Sequence, residues 1–381
     1  MLTGWPGFGD DEMNANDIFR IAVLPGDGIG IEVMEPCLAV LESAVKRVGG
    51  IRLAFDRQRA GALCYRDTGV ALPKAALDAV RSADATLLGA MGWPEIRQAD
   101  GTEIAPQLDL RSEFGLYAGV RPVKTLPGMP PVLADDRARS LDFVVVREST
   151  EGLFASRGKG TISGDSEARD TMVITRGACE RLFDFSFSLA RARQASGGKG
   201  RVTCVDKANV FTSLAFFRKV FDERAALNPD IEAEHAYVDA TALFMVRKPW
   251  DLDVLVTENM FGDILSDLGA GLMGGMGFAP SADIGKRHAV FQPCHGTAPD
   301  IAGQDKANPT AMFLSAAMML EWLGEKHGVP QAAAAGALIR GAVDKAFESG
   351  ARPFEVGGRD GMTTMTRRIL EALDTGAPCV A

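Results

Sequence analysis

Short apolar runs alternate with longer segments of helical period along most of the chain. Ile21-Ala22-Val23-Leu24, a stretch around Ile51–Phe55, Ala85-Thr86-Leu87-Leu88, Phe143–Val146, Val202–Val205, Leu252–Thr257 and a stretch around Ala289–Phe291 have the apolar, β-branched character of buried strands. Between them apolar residues recur every three or four positions. Ile29, Val33, Cys37, Val40, Leu41, Ala44 and Val48 share one face of a helix that Gly49-Gly50 ends. The same pattern predicts helices over 73–82, from a Thr175 cap to about Arg193, from Asn308-Pro309 onward, near 330–347 and near 363–373. Strand, helix and strand in alternation predict an α/β chain with a largely parallel sheet.

One stretch stands out chemically. After the strand at 252–257, Asn259-Met260-Phe261-Gly262-Asp263-Ile264-Leu265-Ser266-Asp267 switches to helical spacing, with Ile264, Leu265 and Leu268 available to one side. Asp263 and Asp267 stand four apart and share one face of that helix. Like charges so placed repel, so the pair reads either as a solvated acidic face or as a divalent-metal site. Elsewhere Arg111, Arg121 and Arg147 stand near element ends, Lys207 follows a buried strand, and Asp239 lies in an otherwise apolar segment. Taken singly, each arginine reads as a surface charge and Lys207 as a snorkelling side chain. The turn Pro25-Gly26-Asp27-Gly28-Ile29-Gly30 has the look of a dinucleotide fingerprint, but the third glycine of G-x-G-x-x-G would fall at Ile31.

Composition narrows the classes. A chain of 381 residues predicts two to three domains, and 24% charged with 46% hydrophobic residues suits a globular protein with a sizeable core. The net charge of −9, without a long basic run, argues against nucleic acid. Six scattered cysteines with no C-x-x-C pair suggest buried reduced thiols and a cytoplasmic protein. Residues 1–17, rich in Gly, Pro, Asp and Asn, read as a flexible tail and not a signal peptide, and no stretch has the apolar length of a membrane span.

Seven motifs occur together in order: LPGDGIG from Leu24, LR followed by GVRP between Arg111 and Pro122, RESTEG from Arg147, VDKAN from Val205, YVDA from Tyr237, NMFGDILSD from Asn259 and HGTAPDIAGQDKANP from His295. With them the chain resembles the metal-dependent β-decarboxylating dehydrogenases that act on isopropylmalate, isocitrate, homoisocitrate and tartrate or D-malate, the isopropylmalate branch being nearest. The resemblance implies a two-domain isopropylmalate-dehydrogenase-like α/β fold and not a Rossmann dinucleotide fold. It implies a discontinuous cofactor-binding domain, 18–116 plus 274–381, and a central domain, 117–273, carrying metal ligands and a homodimer interface. It further implies NAD, and Mg²⁺ or Mn²⁺ held by Asp263 and Asp267 with Asp239 supplied across the dimer; carboxylate oxygens suit those ions. Arg111, Arg121 and Arg147 would grip substrate carboxylates. Lys207, also from the second subunit, would be the general base for the C2 hydroxyl, with Asp239 counted among the catalytic residues. His295, Gly296, Ala298, Asp300, Ile301 and Asn308 would bind the cofactor, Asp300-Ile301 favouring NAD over NADP.

There is one departure. The family tyrosine that protonates the enolate is Phe154 here, which has no proton to give. Residues Glu103–Leu110, which would read the C3 group, match neither the isocitrate nor the isopropylmalate pattern fully and fit a malate-type substrate. The expected reaction is oxidative decarboxylation of a 2-hydroxy acid bearing a β-carboxylate. The alternatives are a tartrate/D-malate-type enzyme and, because of Phe154, a non-catalytic or regulatory paralogue.

Overall fold

The computed structural model describes Trp5 and residues 18–375. The expected N-terminal tail lies outside the described residues except for Trp5, whose ring is 5% exposed and sits 6.4 Å from both Phe185 and Phe291. In chain order the elements are β1 (Ile18–Gly26), α1 (Ile29–Val48), β2 (Arg52–Arg57), α2 (Ala62–Thr68), α3 (Lys74–Ser82), β3 (Ala85–Ala90), α4 (Pro106–Glu113), β4 (Ala118–Lys124) and β5 (Asp142–Glu148). There follow β6 (Thr161–Ser163), β7 (Glu167–Arg169), α5 (Arg176–Ala195), β8 (Arg201–Asp206), α6 (Thr212–Ala225), β9 (Glu232–Tyr237), α7 (Val238–Arg247), β10 (Val254–Thr257) and α8 (Asn259–Met273). The last are β11 (Pro280–Ile284), β12 (Ala289–Pro293), α9 (Thr310–Lys326), α10 (Pro330–Glu348) and α11 (Met362–Thr375).

Ten strands form one sheet in the order β2-β1-β3-β12-β11-β4-β5-β10-β8-β9. Two parallel blocks, β2-β1-β3-β12 and β5-β10-β8-β9, are joined through antiparallel pairings of β12 with β11, β11 with β4 and β4 with β5. The α/β class is the one the sequence predicts, and the sheet is large and mixed, its antiparallel pairings confined to the seam between the blocks. Strands inside the blocks are covered on both faces and read as continuous apolar runs. The edge strand β9 alternates exposed and half-buried residues, which hid it from an apolar reading. β6 and β7 form a separate ribbon whose six residues are all exposed.

α8 packs on β4 and β5 through two glycines, two turns apart. A Cβ at Gly262 would lie 2.6 Å from Arg147 Cβ, and one at Gly269 would lie 2.5 Å from Val123 Cγ2. Small residues therefore make the core side of this helix, together with Leu265 and Ala270. Ile264, expected on that side, is 62% exposed. At the start of α9 the Asn308 carboxamide accepts from Thr310 N and Oγ1, while Pro309 occupies the cap position. Thr175 caps α5 as predicted, accepting from Ala178 N. Cys37, Cys64, Cys179 and Cys204 are free and buried, and Cys294 is free and partly exposed; Cys379 lies outside the described residues. No described helix is long and apolar enough to cross a membrane.

Candidate active site

Arg111 on α4, Arg121 on β4 and Arg147 on β5 are buried together, with side chains 7%, 6% and 3% exposed. Asp283 on β11 offsets the cost of burying Arg111 and Arg121 side by side. Its Oδ2 accepts from Arg111 Nε at 3.1 Å and its Oδ1 from Arg121 Nη2 at 3.3 Å. Gln292 Nε2 and Ser149 Oγ approach the same carboxylate at 3.2 and 3.5 Å. Burial pushes the Asp283 carboxyl up, but Arg111, Arg121 and Arg147 together hold it below the usual carboxylate range.

Arg147 is held differently. Its Nε donates to Asn259 Oδ1 at 2.9 Å and its Nη1 to Asp263, while Nη2 is buried without a partner. Burial, and then the like charge of Arg111, pushes this guanidinium down to about 10, so it stays cationic at neutral pH. An unpaired buried donor costs about 1–3 kcal/mol, and a ligand carboxylate is the group best shaped to relieve it. The Phe154 ring stacks 4.9 Å from the Arg147 guanidinium carbon, so the residue that departs from the family pattern stands against a predicted substrate arginine.

Asp263 and Asp267 share the outward face of α8. Asp263 is half-exposed, and partial burial followed by the Asp263 charge raises the Asp267 carboxyl. The helix is anchored beside them by Glu258, whose buried carboxylate caps Met260 N and Phe261 N at 3.1 and 2.6 Å. Two hard oxygen donors one turn apart, next to a cluster of carboxylate-binding arginines, fit a divalent cation. Among the described residues no group of three His, Cys, Asp or Glu side chains is placed to hold a metal within one chain. Asp239 opens α7 instead, two-thirds exposed, and accepts from Lys207 Nζ at 2.5 Å. That bond holds the Asp239 carboxyl below its usual range. The structure thus brings Lys207 together with Asp239, and the three arginines together with Asp263. It does not gather Asp239 with Asp263 and Asp267 in one protomer.

The predicted cofactor loop leaves β12 and runs beneath the glycine turn that follows β1. Ile29 N donates to Thr297 O at 2.9 Å. Gly28, at φ +54, would place a Cβ 2.1 Å from that same oxygen, so only glycine fits. The turn is pinned by Asp27, fully buried, which accepts from Ala62 N, Leu63 N and Gly92 N at 2.7, 2.9 and 2.9 Å. The turn therefore shapes this cleft without being a Rossmann fingerprint. His295 is partly buried, contacts Gly296 O through Nδ1 at 2.9 Å, and is kept neutral by desolvation. Gly296 and Asp300 are exposed, Ala298 adopts φ 37, and Ile301 is half-buried. Asn308 is buried, with Nδ2 donating to Glu355 Oε2 at 3.0 Å and Oδ1 holding Thr310, so its amide is engaged within the chain.

Asp283, Gln292, Asn259 and Asp27 escape a reading of the sequence as site residues. Asp283 is the lone charge of the strand Pro280–Ile284, a signal of a paired buried acid that nothing near it in sequence identifies. Its partners come from α4 and β4, far away along the chain.

The isocitrate/isopropylmalate dehydrogenase family profile matches residues 20–373. The 3-isopropylmalate dehydrogenase of Methanothermobacter thermautotrophicus is 41% identical over 356 residues, 93% of this chain and 98% of that protein. The 3-isopropylmalate/3-methylmalate dehydrogenase of Methanocaldococcus jannaschii is 44% identical over 307 residues, 80% of this chain and 86% of that protein. The crystal structure of isocitrate dehydrogenase from Methylococcus capsulatus superposes with a TM-score of 0.82 at 36% identity, covering 93% of this chain and 99% of that one. A β-decarboxylating dehydrogenase from Thermococcus kodakarensis gives 0.75 at 35% identity, covering 93% and 96%. With matches of this extent along both sequence and backbone, the chain belongs to the isocitrate/isopropylmalate dehydrogenase family of β-decarboxylating dehydrogenases.

Proposed function

We propose that this protein catalyses the NAD-dependent, Mg²⁺- or Mn²⁺-assisted oxidative decarboxylation of a 2-hydroxy acid bearing a β-carboxylate, at sites shared between two cytoplasmic copies of the chain. The observation that carries the proposal is the buried arginine cluster beneath Asp263, with Arg147 Nη2 unpartnered and well shaped to donate to a substrate carboxylate. Asp263 and Asp267 would hold the cation from one protomer, and Asp239 of the partner subunit would complete the set. Bound there, the cation would polarise the C2 oxygen and NAD would take the C2 hydride.

The protein side chains do the rest. Arg111, Arg121 and Arg147 orient the substrate carboxylates through planar, charge-assisted hydrogen bonds. Lys207 of the partner subunit would accept the C2 hydroxyl proton as the neutral amine, free of its ion pair with Asp239. Loss of the β-carboxylate as CO₂ leaves an enolate whose carbon must be protonated, and Phe154 supplies no proton for that step. The exposed apolar residues Leu243, Val246 and Ile264 on α7 and α8, and Ile162 on the β6–β7 ribbon, support a second copy covering this side of the molecule. In this reading the chain divides into a cofactor half, 18–116 with 274–381, and a central half, 117–273.

Steady-state assays of 3-isopropylmalate, D-malate, tartrate and isocitrate with NAD and Mn²⁺ test the proposal. Turnover of a malate-type substrate with release of CO₂ is expected. NAD reduction without CO₂ release would remove the decarboxylation half. A second reading, ligand binding without turnover, is favoured by Phe154 alone. It gains the stronger position if neither wild type nor Phe154→Tyr turns over any member of the panel.

A further inference from the structure

A run of buried aromatic rings crosses the seam on the face of the sheet away from the arginines. On β12 the Gln292 side chain turns toward Asp283, its Nε2 donating to Oδ2 at 3.2 Å. Phe291 is the residue before it on the same strand, so its side chain leaves the opposite face. There its ring lies 5.8 Å from that of Trp322 on α9 and 6.4 Å from that of Trp5. The Trp5 ring lies 6.4 Å from Phe185 on α5, and Phe185 lies 6.4 Å from Tyr117. All these residues are buried. Helix α9 covers β12, β11 and β3, whereas α5 covers β5, β10 and β8. Trp5 is therefore the ring that joins the packing of one parallel block to that of the other.

Both ends of the run reach the polar frame of the arginine cluster. Gln292 follows Phe291 directly, and Ser149 N donates to Tyr117 O at 3.1 Å. Gln292 and Ser149 are the two side chains that flank Asp283. Trp5 Nε1 is buried with no partner among the described residues, so the indole is held by packing and not by a hydrogen bond.

We propose that Trp5 is a positioning residue: by filling the space between Phe291 and Phe185 it sets the spacing of the two blocks, and with it the alignment of the substrate arginines on the other face. Arg111 and Arg121 are tied to Asp283 on the β11–β12 hairpin, whereas Arg147 belongs to β5. Truncating the indole leaves a gap into which its surroundings relax partway, and the two sets of guanidinium groups lose their register. A dicarboxylate then spends part of its binding energy restoring that register. Affinity falls, while the rate of the bound complex changes little. The inference rests on the proposed role of the arginines in gripping substrate carboxylates.

Methylsuccinate, a dicarboxylate without the hydroxyl needed for oxidation, reports affinity by calorimetry with Mg²⁺ present. Trp5→Ala is expected to bind it about tenfold more weakly and to raise KM by a similar factor, with kcat within about threefold of wild type. Trp5→Phe keeps a ring in the slot and removes no hydrogen bond, so its affinity should stay within about twofold of wild type. Trp5→Leu replaces the alanine variant if that one folds poorly by circular dichroism. Unchanged affinity with a lowered Tm would mean that Trp5 serves stability alone, which overturns the proposal. A fall in kcat at constant KM, or a phenylalanine variant as weak as alanine, overturns it too. If affinity shifts as expected but no 2-hydroxy acid is oxidised, the proposed reaction falls and this assignment stands. If such acids are oxidised and affinity does not move, the reverse holds. A wild type that binds no dicarboxylate removes both.

Discussion

Adding one methyl group at Gly262 separates the position of the acidic helix from its stability. A Cβ there would lie 2.6 Å from both Cβ and Cγ of Arg147 and 3.1 Å from its Cα. Carbon atoms settle at about 3.5–4.0 Å, so α8 must retreat from β5 by roughly 1 Å, carrying Asp263 with it. Overpacking of this kind costs about 1–3 kcal/mol. Alanine returns about 1 kcal/mol through its better helix propensity. The net loss of stability is therefore small, about 0–2 kcal/mol. The catalytic loss is larger, because a misplacement of about 1 Å costs on the order of 10²-fold, or about 2.7 kcal/mol of barrier. Gly271→Ala on the same helix is the control, since a Cβ there meets nothing within 4 Å. Thermal unfolding followed by circular dichroism and kcat/KM at saturating Mn²⁺ measure the two effects. A Gly262→Ala enzyme with kcat/KM within about twofold of wild type would refute the reasoning, because the pocket would then tolerate a displaced α8.

Other outcomes follow from the same geometry. Lys207→Ala and Asp263→Asn are each expected to be inactive, but unfolding and refolding them together should restore roughly a quarter of wild-type activity, since half the pairs are mixed and each holds one intact shared site; no recovery would place Lys207 and Asp263 in the same site of one protomer. Asp283 has a carboxyl held below the ordinary carboxylate value of about 3.9 by the neighbouring arginines, so its ionised form stabilises the fold above that value and the contribution disappears as pH falls through the lower native value. Asp283→Asn should accordingly cost about 3–5 kcal/mol at neutral pH, as two buried guanidinium groups lose their counter-charge, and the gap in Tm to wild type should narrow only below about pH 3.9. Phe154→Tyr should raise the rate of product protonation by about 10²–10⁴-fold where that step limits turnover, read as solvent-deuterium incorporation and kcat.

The sequence showed the paired carboxylates of α8 but not what seats them. Asp263 and Asp267 announce themselves because four-residue spacing on a helix has a direct geometric meaning. Ile264 misleads, because an apolar side chain beside Leu265 reads as core. The backbone-close packing at Gly262 and Gly269 turns it outward instead. Single acids such as Asp27 and Asp283 carry no periodicity, and their partners are set by tertiary contacts. β9 hides its place in the sheet because an edge strand need not be apolar.

The seam of the sheet also has a consequence for how the polypeptide is made. β11 and β12 are the last strands to be synthesised, yet they occupy the middle of the ten-stranded order, between β3 and β4. A ribosome that has reached residue 279 has delivered the whole of one parallel block and all of the other except β12, with β3 and β4 each missing a neighbour. Those open edges invite pairing with another nascent chain. The same hairpin that closes them delivers Asp283 and Gln292 to the arginines. Protection of the growing chain from self-association and assembly of its anion pocket are thus one late event in biosynthesis.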